Sequence, residues 1–331
     1  MKDLRQFPTS LVHPASKRSR IQKRRTLIGN SESALGLTGA AYAAYRAAPG
    51  FWRNFYSDLG RPVIDPGFIP NPFSWPDTGL HAAWLGHSTV LVKINGFTIL
   101  TDPIFSEHAG IHLGVLSVGV KRQIRSALEP DGLPPIDLIL VSHAHMDHLD
   151  LPSLRLLEDP ATTVVMAKHT SDLIRVRHYG QVKEIGWNET VRVGPAVVKG
   201  TEVNHWGARR RVDTYRGYNG YQVEVDGIKV LFAGDTANSS AFRGLRSSKP
   251  HALVVMPIGA YNPWLRHHCN PEQAWQMSAD AGFDHIMPVH HQTFPLSEEP
   301  VNEPIERLLC VAGRNDDAIA LQQIGQEFHL E

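Results

Sequence analysis

Short runs of branched and apolar residues, separated by turn residues, dominate the chain from residue 81 onward. Two of these runs, Thr89–Ile94 and Phe97–Leu100, flank Asn95-Gly96, a dipeptide that favours the tight turn of a β-hairpin. Asp226-Gly227 lies between two further apolar runs and gives the same signal. The pattern therefore predicts antiparallel strand pairs at two places in the chain.

The rest of the pattern predicts strands and helices in alternation. Further strands are predicted at residues 82–85, 136–141, 162–167, 182–185, 189–193, 196–201, 218–225, 228–232, 253–256 and 285–289. Helices are predicted at residues 151–157, 171–178, 271–281 and 303–312. Residues 105–130 lack a clear periodicity, and we expect an irregular insertion there. The elements do not follow the simple repeat of a doubly wound sheet.

The first 48 residues differ in composition from the rest of the chain. Lysines and arginines cluster at residues 17–25, and an Ala/Gly-rich stretch follows. Arg24-Arg25 ahead of that stretch faintly resembles a twin-arginine export signal, and the basic cluster could also contact anionic lipid. The uncharged run Ser33–Tyr45 is shorter than the roughly 20 residues that span a bilayer. We predict a basic N-terminal arm with a small helix at residues 1–48 and a cytoplasmic protein, with membrane association and export as alternatives.

Composition adds few constraints. Lys plus Arg and Asp plus Glu are equal at 33 each, so the net charge does not indicate a nucleic-acid partner. The cysteines, Cys269 and Cys310, are too few for a disulfide framework and form no Cys-x-x-Cys motif. The sequence does not indicate an oligomeric state.

The strongest chemical signal is the segment that directly follows the apolar run 136–141. It contains four candidate metal ligands within six positions: His143, His145, Asp147 and His148. Imidazole nitrogens and carboxylate oxygens are the ligands that suit zinc and its neighbours. Burying such groups unpaired at the end of a core strand would be costly. The segment therefore predicts a metal site.

Three more candidate ligands each follow an extended run: His205, Asp235 and His290. If these strands end at one edge of a sheet, two adjacent sites can form. One would consist of His143, His145 and His205, and the other of Asp147, His148 and His290. Asp235 could bridge them, because each carboxylate oxygen can bind one metal. We expect two divalent ions with a hydroxide between them, zinc being favoured and iron or manganese being alternatives.

The order His-x-His-x-Asp-His, followed by a distant His, Asp and His, resembles the metallo-β-lactamase superfamily. Further stretches resemble the branch that contains N-acylphosphatidylethanolamine-hydrolysing phospholipase D: Trp84–Thr89, Thr101–Ser106, Gly234–Thr236 and Pro257–Tyr261. The resemblance covers roughly residues 50–310. It implies an α/β fold, the αββα sandwich of that superfamily, with the metals at one end of the sheets. It also implies a catalytic domain over residues 49–331.

The resemblance implies a binuclear metal-dependent hydrolase acting on a phosphodiester, with an N-acylated phospholipid as the expected substrate. The bridging hydroxide would be the nucleophile. Asp147 would orient it, and His268 would polarise the substrate or protonate the leaving group, or else be a supporting or surface histidine. Candidates for lining an apolar groove are Phe68, Phe73, Leu113, Val115 and Leu116.

Several assignments stay open at this point. Either His290 or His291 can be the ligand, and aligning Thr293-Phe294 with the branch pattern favours His290. Asp102 and His87 are candidates for supporting the ligands, or for simple core and turn roles. An arginine cluster could bind phosphate or be a solvated patch: Arg209, Arg210 and Arg211.

Other functions are compatible with the same ligand set. A lactone or sugar-phosphate hydrolase would need a small polar pocket and no acyl groove. A non-hydrolytic metal-binding or redox protein could use the same ligands, which also suit iron. A nuclease is disfavoured because the catalytic region has no obvious basic stripe. A thiol nucleophile at Cys269 lacks a separate base and an orienting residue.

Overall fold

Two β-sheets packed face to face organise the protein. The structure is a computed structural model, and it describes residues 58, 60–113, 116–210 and 212–331. The first sheet has seven strands in the order β15-β1-β2-β3-β6-β7-β8, and the second has six in the order β14-β13-β12-β11-β10-β9. β4 and β5 form a separate hairpin. The fold is of the α/β class and is an αββα sandwich, as the sequence predicts.

The strands of the first sheet are β1 (Leu80–Gly86), β2 (Thr89–Ile94), β3 (Phe97–Thr101), β6 (Leu138–Val141), β7 (Thr163–Ala167), β8 (Gln181–Ile185) and β15 (Glu327–Leu330). Those of the second are β9 (Thr190–Val193), β10 (Ala196–Thr201), β11 (Gly220–Val225), β12 (Ile228–Phe232), β13 (His251–Pro257) and β14 (Phe283–Val289). The separate hairpin consists of β4 (His108–Leu113) and β5 (Leu116–Lys121). The α-helices are α1 (Leu151–Leu156), α2 (Pro271–Ala281) and α3 (Glu303–Ala312).

Side chains alternate between two hydrophobic layers along the strands of the second sheet. On β12, Val230 and Phe232 join the core that also contains residues of the first sheet, whereas Leu231 points into the layer beneath α2 and α3. Ala274 of α2 and Leu308 of α3 are fully buried in that outer layer. Because successive side chains of a strand point to opposite faces, the second sheet contacts the first sheet on one face and the helices on the other.

Two sequence predictions of local structure are wrong, and one strand was not predicted at all. Residues 105–130 contain the β4–β5 hairpin, in which Gly110 and Gly119 pair directly and their strands approach too closely for any side chain. The predicted helix at 171–178 is two short 3₁₀ turns, Ser171–Leu173 and Val176–His178. The edge strand β15 was not predicted, and it pairs with β1.

Glu184, near the end of β8, stabilises the first of these 3₁₀ turns through hydrogen bonds. Its carboxylate accepts backbone hydrogen bonds from His169, Thr170 and Ser171, at 2.9, 2.9 and 2.7 Å. Burial opposes ionisation of Glu184, but these donors stabilise the charged form and lower its pKa below the ordinary value. The carboxylate therefore stabilises the fold when it is ionised.

We expect Glu184→Gln to lower the free energy of unfolding by about 1 kcal/mol at neutral pH, since a half-exposed group contributes modestly. Because the folded-state pKa is lowered, this contribution is complete above the ordinary pKa of 4.5 and is lost as the pH falls through the lower folded value. Urea titrations of both proteins between pH 7 and pH 3 would measure the difference. A difference that grows on acidification would contradict this account.

No helix among the described residues is both long and apolar enough to cross a membrane. The predicted arm and small helix at residues 1–48, including the twin-arginine-like pair, lie outside the described residues. The boundary between that arm and the domain at 49–331 remains a prediction.

Candidate metal centre

Polar side chains gather at one edge of both sheets because several strands end there. The loop 142–150 follows β6, Asp235 follows β12, and His290 follows β14. His205 comes four residues after the end of β10. The structure thus brings together all seven predicted ligands from four separate segments of the chain.

The first group of ligands consists of three imidazoles. His143 Nε2 lies 2.8 Å from His145 Nδ1, and His205 Nε2 lies 3.3 Å from the same atom. Burial lowers the pKa of all three histidines, that of His145 to about 4, so each is neutral at pH 7. Neutral imidazoles that converge through ring nitrogens present the lone pairs that a divalent metal binds.

Hydrogen bonds behind these rings fix which nitrogen faces the centre. Ser142 Oγ donates to Asp102 Oδ2 over 2.5 Å, so it must accept from His143 Nδ1, 2.8 Å away. His205 Nδ1 donates to the backbone carbonyl of His267 over 2.9 Å. In both residues the proton is on Nδ1, and Nε2 is left as an acceptor toward the centre.

The second group surrounds Asp147. His148 Nε2 and His290 Nε2 lie 3.4 and 3.5 Å from Asp147 Oδ2. His87 Nε2 is closer to that oxygen, at 3.0 Å. His148 is held from behind by Asp102, whose Oδ2 accepts from His148 Nδ1 over 2.6 Å. His87 therefore directly contacts a predicted ligand, and Asp102 supports ligands of both groups.

Asp235 lies between the two groups. Its Oδ2 is 3.1 Å from His148 Nε2, 3.2 Å from His290 Nε2 and 3.7 Å from His205 Nε2. Gly234 makes this approach possible: its φ is +59°, and a Cβ there would lie 2.8 Å from Ser142 Cβ. The carboxylate thus lies between the two ligand groups, and its role as a bridging ligand stays a prediction.

The charges of the second group indicate a cation site. Burial opposes ionisation of Asp147 and Asp235, yet the surrounding histidines, His148 first, hold the pKa of both carboxyls well below the usual range. Burial likewise opposes protonation of His290, but Asp235 raises its pKa to about 9. The buried carboxylates therefore favour positive charge around them, which protons on the histidines or a bound cation would supply.

Unpartnered buried atoms provide a test of whether a metal fits. Asp235 Oδ1 is buried and has no hydrogen-bond partner, and His148 Nε2 and His290 Nε2 lie close to Asp235 Oδ2 without the geometry of a hydrogen bond. Buried polar atoms are normally satisfied, and orphans that converge on one point require an explanation. Divalent metal ions would coordinate these atoms, so the donor set fits such ions.

The structure distinguishes the two adjacent histidines 290 and 291. The His291 ring stacks on Trp84, with ring centroids 4.6 Å apart, whereas His290 points toward Asp147 and Asp235. His290 has a positive φ of 63°, a conformation that is uncommon for residues other than glycine. His290 is therefore the candidate ligand, and His291 occupies an aromatic packing position.

His268 lies at the side of the centre. Its Nδ1 is 3.7 Å from Asp235 Oδ2, is buried and has no hydrogen-bond partner. Burial lowers the pKa of His268 to about 4, so the ring is neutral at pH 7. Its neighbour Cys269 is buried and donates to the carbonyl of Pro257, and burial raises the pKa of the thiol, which does not favour a nucleophilic role.

Other predicted site residues are found elsewhere or cannot be placed. Arg209 does not project into the centre but hydrogen-bonds backbone carbonyls of the loop 142–150. Phe68 and Phe73 are exposed near β15 rather than forming a wall of the metal centre. Val115 and Arg211 lie outside the described residues, and nothing is described of the side chains of Leu113 and Leu116.

Sequence reasoning missed two contributors to the centre. Ser142 relays hydrogen bonds between Asp102 and His143, and its position next to the first histidine was the available signal. Asp150 lies at the end of the loop. Its side chain caps α1 by accepting a hydrogen bond from Ser153 N, and it accepts another from Ser106 Oγ over 2.6 Å. The Asp-x-x-Ser spacing at a helix start could have indicated the cap.

The sandwich and the ligands at its strand ends define a metal-dependent hydrolase of the metallo-β-lactamase fold. The family model described as the Beta-lactamase superfamily domain matches residues 98–291, which is more than half of the chain. The protein therefore belongs to the metallo-β-lactamase superfamily, as the sequence motifs predict.

Individual proteins show the same relationship. A mitochondrial N-acyl-phosphatidylethanolamine-hydrolyzing phospholipase D of Saccharomyces cerevisiae is 32% identical over 246 residues, which is 70% of this chain and 52% of the yeast protein. The N-acyl-phosphatidylethanolamine-hydrolyzing phospholipase D 1 of Caenorhabditis elegans is 28% identical over 259 residues, which is 73% of this chain and 72% of the nematode protein. The solved structure of Igni18, a metallo hydrolase from Ignicoccus hospitalis, has a TM-score of 0.57 at 18% identity, covering 77% of this chain and 99% of that one.

Proposed function

We propose that this protein is a phosphodiesterase with two divalent metal ions that hydrolyses N-acylated phospholipids. The observation that carries the proposal is the position of Asp235, whose carboxylate lies between two converging ligand groups and keeps one oxygen unpartnered. The yeast and nematode relatives are described as phospholipases D for N-acyl-phosphatidylethanolamine, which supports the substrate class. A phospholipid substrate implies contact with a membrane surface.

Different residues would hold each of the two ions and position the attacking water. His143, His145 and His205 would hold one ion, and Asp147, His148 and His290 the other, with Asp235 shared. Bound divalent metals lower the pKa of water toward neutrality and neutralise charge that builds on substrate oxygens. Asp147 is oriented by His87 and would position the attacking water and accept its proton.

His268 would act on the substrate. A neutral imidazole can donate a hydrogen bond to a phosphoryl or leaving-group oxygen, and His268 is neutral because it is buried. Trp206 provides apolar surface beside the first ligand group, since the residue is 40% exposed and its ring centroid lies 4.5 Å from that of His145. This surface supports a substrate with an apolar portion.

We expect His268→Ala to lower kcat by about 100-fold or more while both metals remain bound, in line with the usual contribution of a proton-transfer group. Steady-state kinetics and metal content should be measured together. Arg266→Ala is the control, because Arg266 is exposed and lies two positions from His268. Loss of metal in His268→Ala would instead make His268 a ligand.

The substrate class is tested with purified protein of known metal content. It should be assayed on N-acylphosphatidylethanolamine in mixed micelles, on a generic phosphodiester and on lactones, before and after chelation. We expect metal-dependent release of phosphatidic acid from the phospholipid. Hydrolysis of lactones alone would overturn the phospholipid assignment, and binding of redox-active iron without any hydrolysis would overturn the hydrolytic one.

A further inference from the structure

Arg209 contacts the loop that contains four of the predicted ligands. Its Nη1 donates to the carbonyl of Ala144 over 3.0 Å and to the carbonyl of Leu149 over 2.8 Å. Ala144 lies between His143 and His145, and Leu149 directly follows His148. One nitrogen atom therefore joins the two sides of the ligand loop.

The same contact connects this loop to another ligand segment. Arg209 lies four residues after His205, which belongs to the first ligand group. Ala144 and Leu149 are both fully buried, so the hydrogen bonds form behind the loop, away from solvent. Arg209 thereby fixes the segment of His205 relative to ligands of both groups.

Electrostatics alone do not explain why the positively charged Arg209 is buried beside this loop. Burial lowers the pKa of Arg209 to about 10, although nearby Asp150 partly offsets this effect. Burying a charge is costly, and a positive charge beside a cation-binding loop opposes metal binding. The compensating gain is geometric, since a guanidinium donates charge-assisted hydrogen bonds in a fixed planar arrangement.

We propose that Arg209 is a positioning residue that clamps the loop 143–148 and so sets the spacing of the two ligand groups. It acts through Ala144 and Leu149 and contacts neither metal nor substrate. The inference rests on the proposed metal centre but not on the identity of the substrate. It replaces the phosphate-binding role that the sequence had left open for this residue.

The test compares Arg209→Gln, Arg209→Lys and Arg210→Gln. Arg210 is the matched control, because it is an exposed adjacent arginine. Metal affinity is measured by competition with a chromophoric chelator, geometry by the absorption spectrum of the cobalt-substituted protein, and apoprotein stability by thermal unfolding. We expect Arg209→Gln to weaken metal binding about 10- to 100-fold, as for other residues behind metal ligands, and to alter the cobalt spectrum. Arg209→Lys should recover part of the affinity, and Arg210→Gln should match the wild type.

Wild-type metal affinity and an unchanged cobalt spectrum in Arg209→Gln would overturn the proposal. If Arg209→Gln does not fold, Arg209→Lys decides: it keeps a donor and the aliphatic stem, and it should be folded with intermediate affinity and a shifted spectrum. A folded Arg209→Lys with wild-type values would also overturn it. Failure of the wild type to hydrolyse any phosphodiester while it still binds two metals would reject only the proposed substrate.

Discussion

Replacing Asp235 with asparagine is expected to remove metal and hydrolytic activity together while leaving the protein folded. The amide has nearly the same shape as the carboxylate but lacks its charge, and one of its two terminal atoms cannot coordinate a metal. The loss of activity should exceed about 100-fold, since removing even an outer partner of a metal ligand costs 10- to 100-fold. His145→Ala should give the same paired loss, because it removes the nitrogen on which His143 and His205 converge.

The measurement combines metal analysis, turnover and circular dichroism of each purified variant. Asp226→Asn is a matched control, because Asp226 stands at an exposed hairpin turn with a positive φ that asparagine also tolerates. That variant should retain metal and activity. Full turnover by a metal-depleted Asp235→Asn protein would refute the proposed mechanism.

Replacing Asp102 with asparagine is expected to damage both stability and metal binding. Asp102 is fully buried and accepts hydrogen bonds from Ser142 N, Ser142 Oγ and His148 Nδ1. An asparagine can accept at its oxygen but presents an N–H group to the remaining donors, which leaves buried donors facing each other. We expect the unfolding free energy to fall by about 3 kcal/mol or more, as when one member of a buried charged network is removed.

Metal affinity should fall by about 10- to 100-fold in the same variant, because His148 loses its hydrogen bond to Asp102 and Ser142 loses the acceptor that orients its hydroxyl toward His143. Denaturant titration of the apoprotein and metal competition measure the two effects separately. Asp137→Asn is the control: Asp137 accepts from Thr98 N over 2.8 Å at the opposite end of the sheet. It should cost some stability and leave metal affinity intact. Equal metal affinity in the Asp102 variant and the wild type would show that Asp102 only stabilises the fold.

Local sequence signals predicted those elements whose conformation is decided locally. Asn95-Gly96 and Asp226-Gly227 form the expected turns, with positive φ at each of these four residues. The helix Pro271–Ala281 has the predicted bounds, since it starts with a proline and is preceded by the capping residue Asn270. In each case the controlling interactions lie within a few residues.

The errors concern elements that depend on distant partners. β15 is four residues long, and its pairing with β1 joins Leu80 to Leu330. Nothing within so short a segment specifies a partner that far away in the chain. The predicted helix at 171–178 is interrupted at Ile174, whose extended backbone separates the two 3₁₀ turns. The next residue, Arg175, donates two hydrogen bonds to the carboxylate of Glu158. A tertiary contact therefore overrides the local propensity for a helix there.

By itself, the sequence determined which chemistry is available, because His143, His145, Asp147 and His148 are ligand types placed together by chain connectivity alone. Only the tertiary structure decided how the rest assemble around them. It placed Asp235 between the groups, separated His290 from His291, and turned Arg209 toward the loop carbonyls. The physical reason is that side-chain direction at a strand end depends on backbone angles and on contacts with other strands, and neither can be read from local spacing.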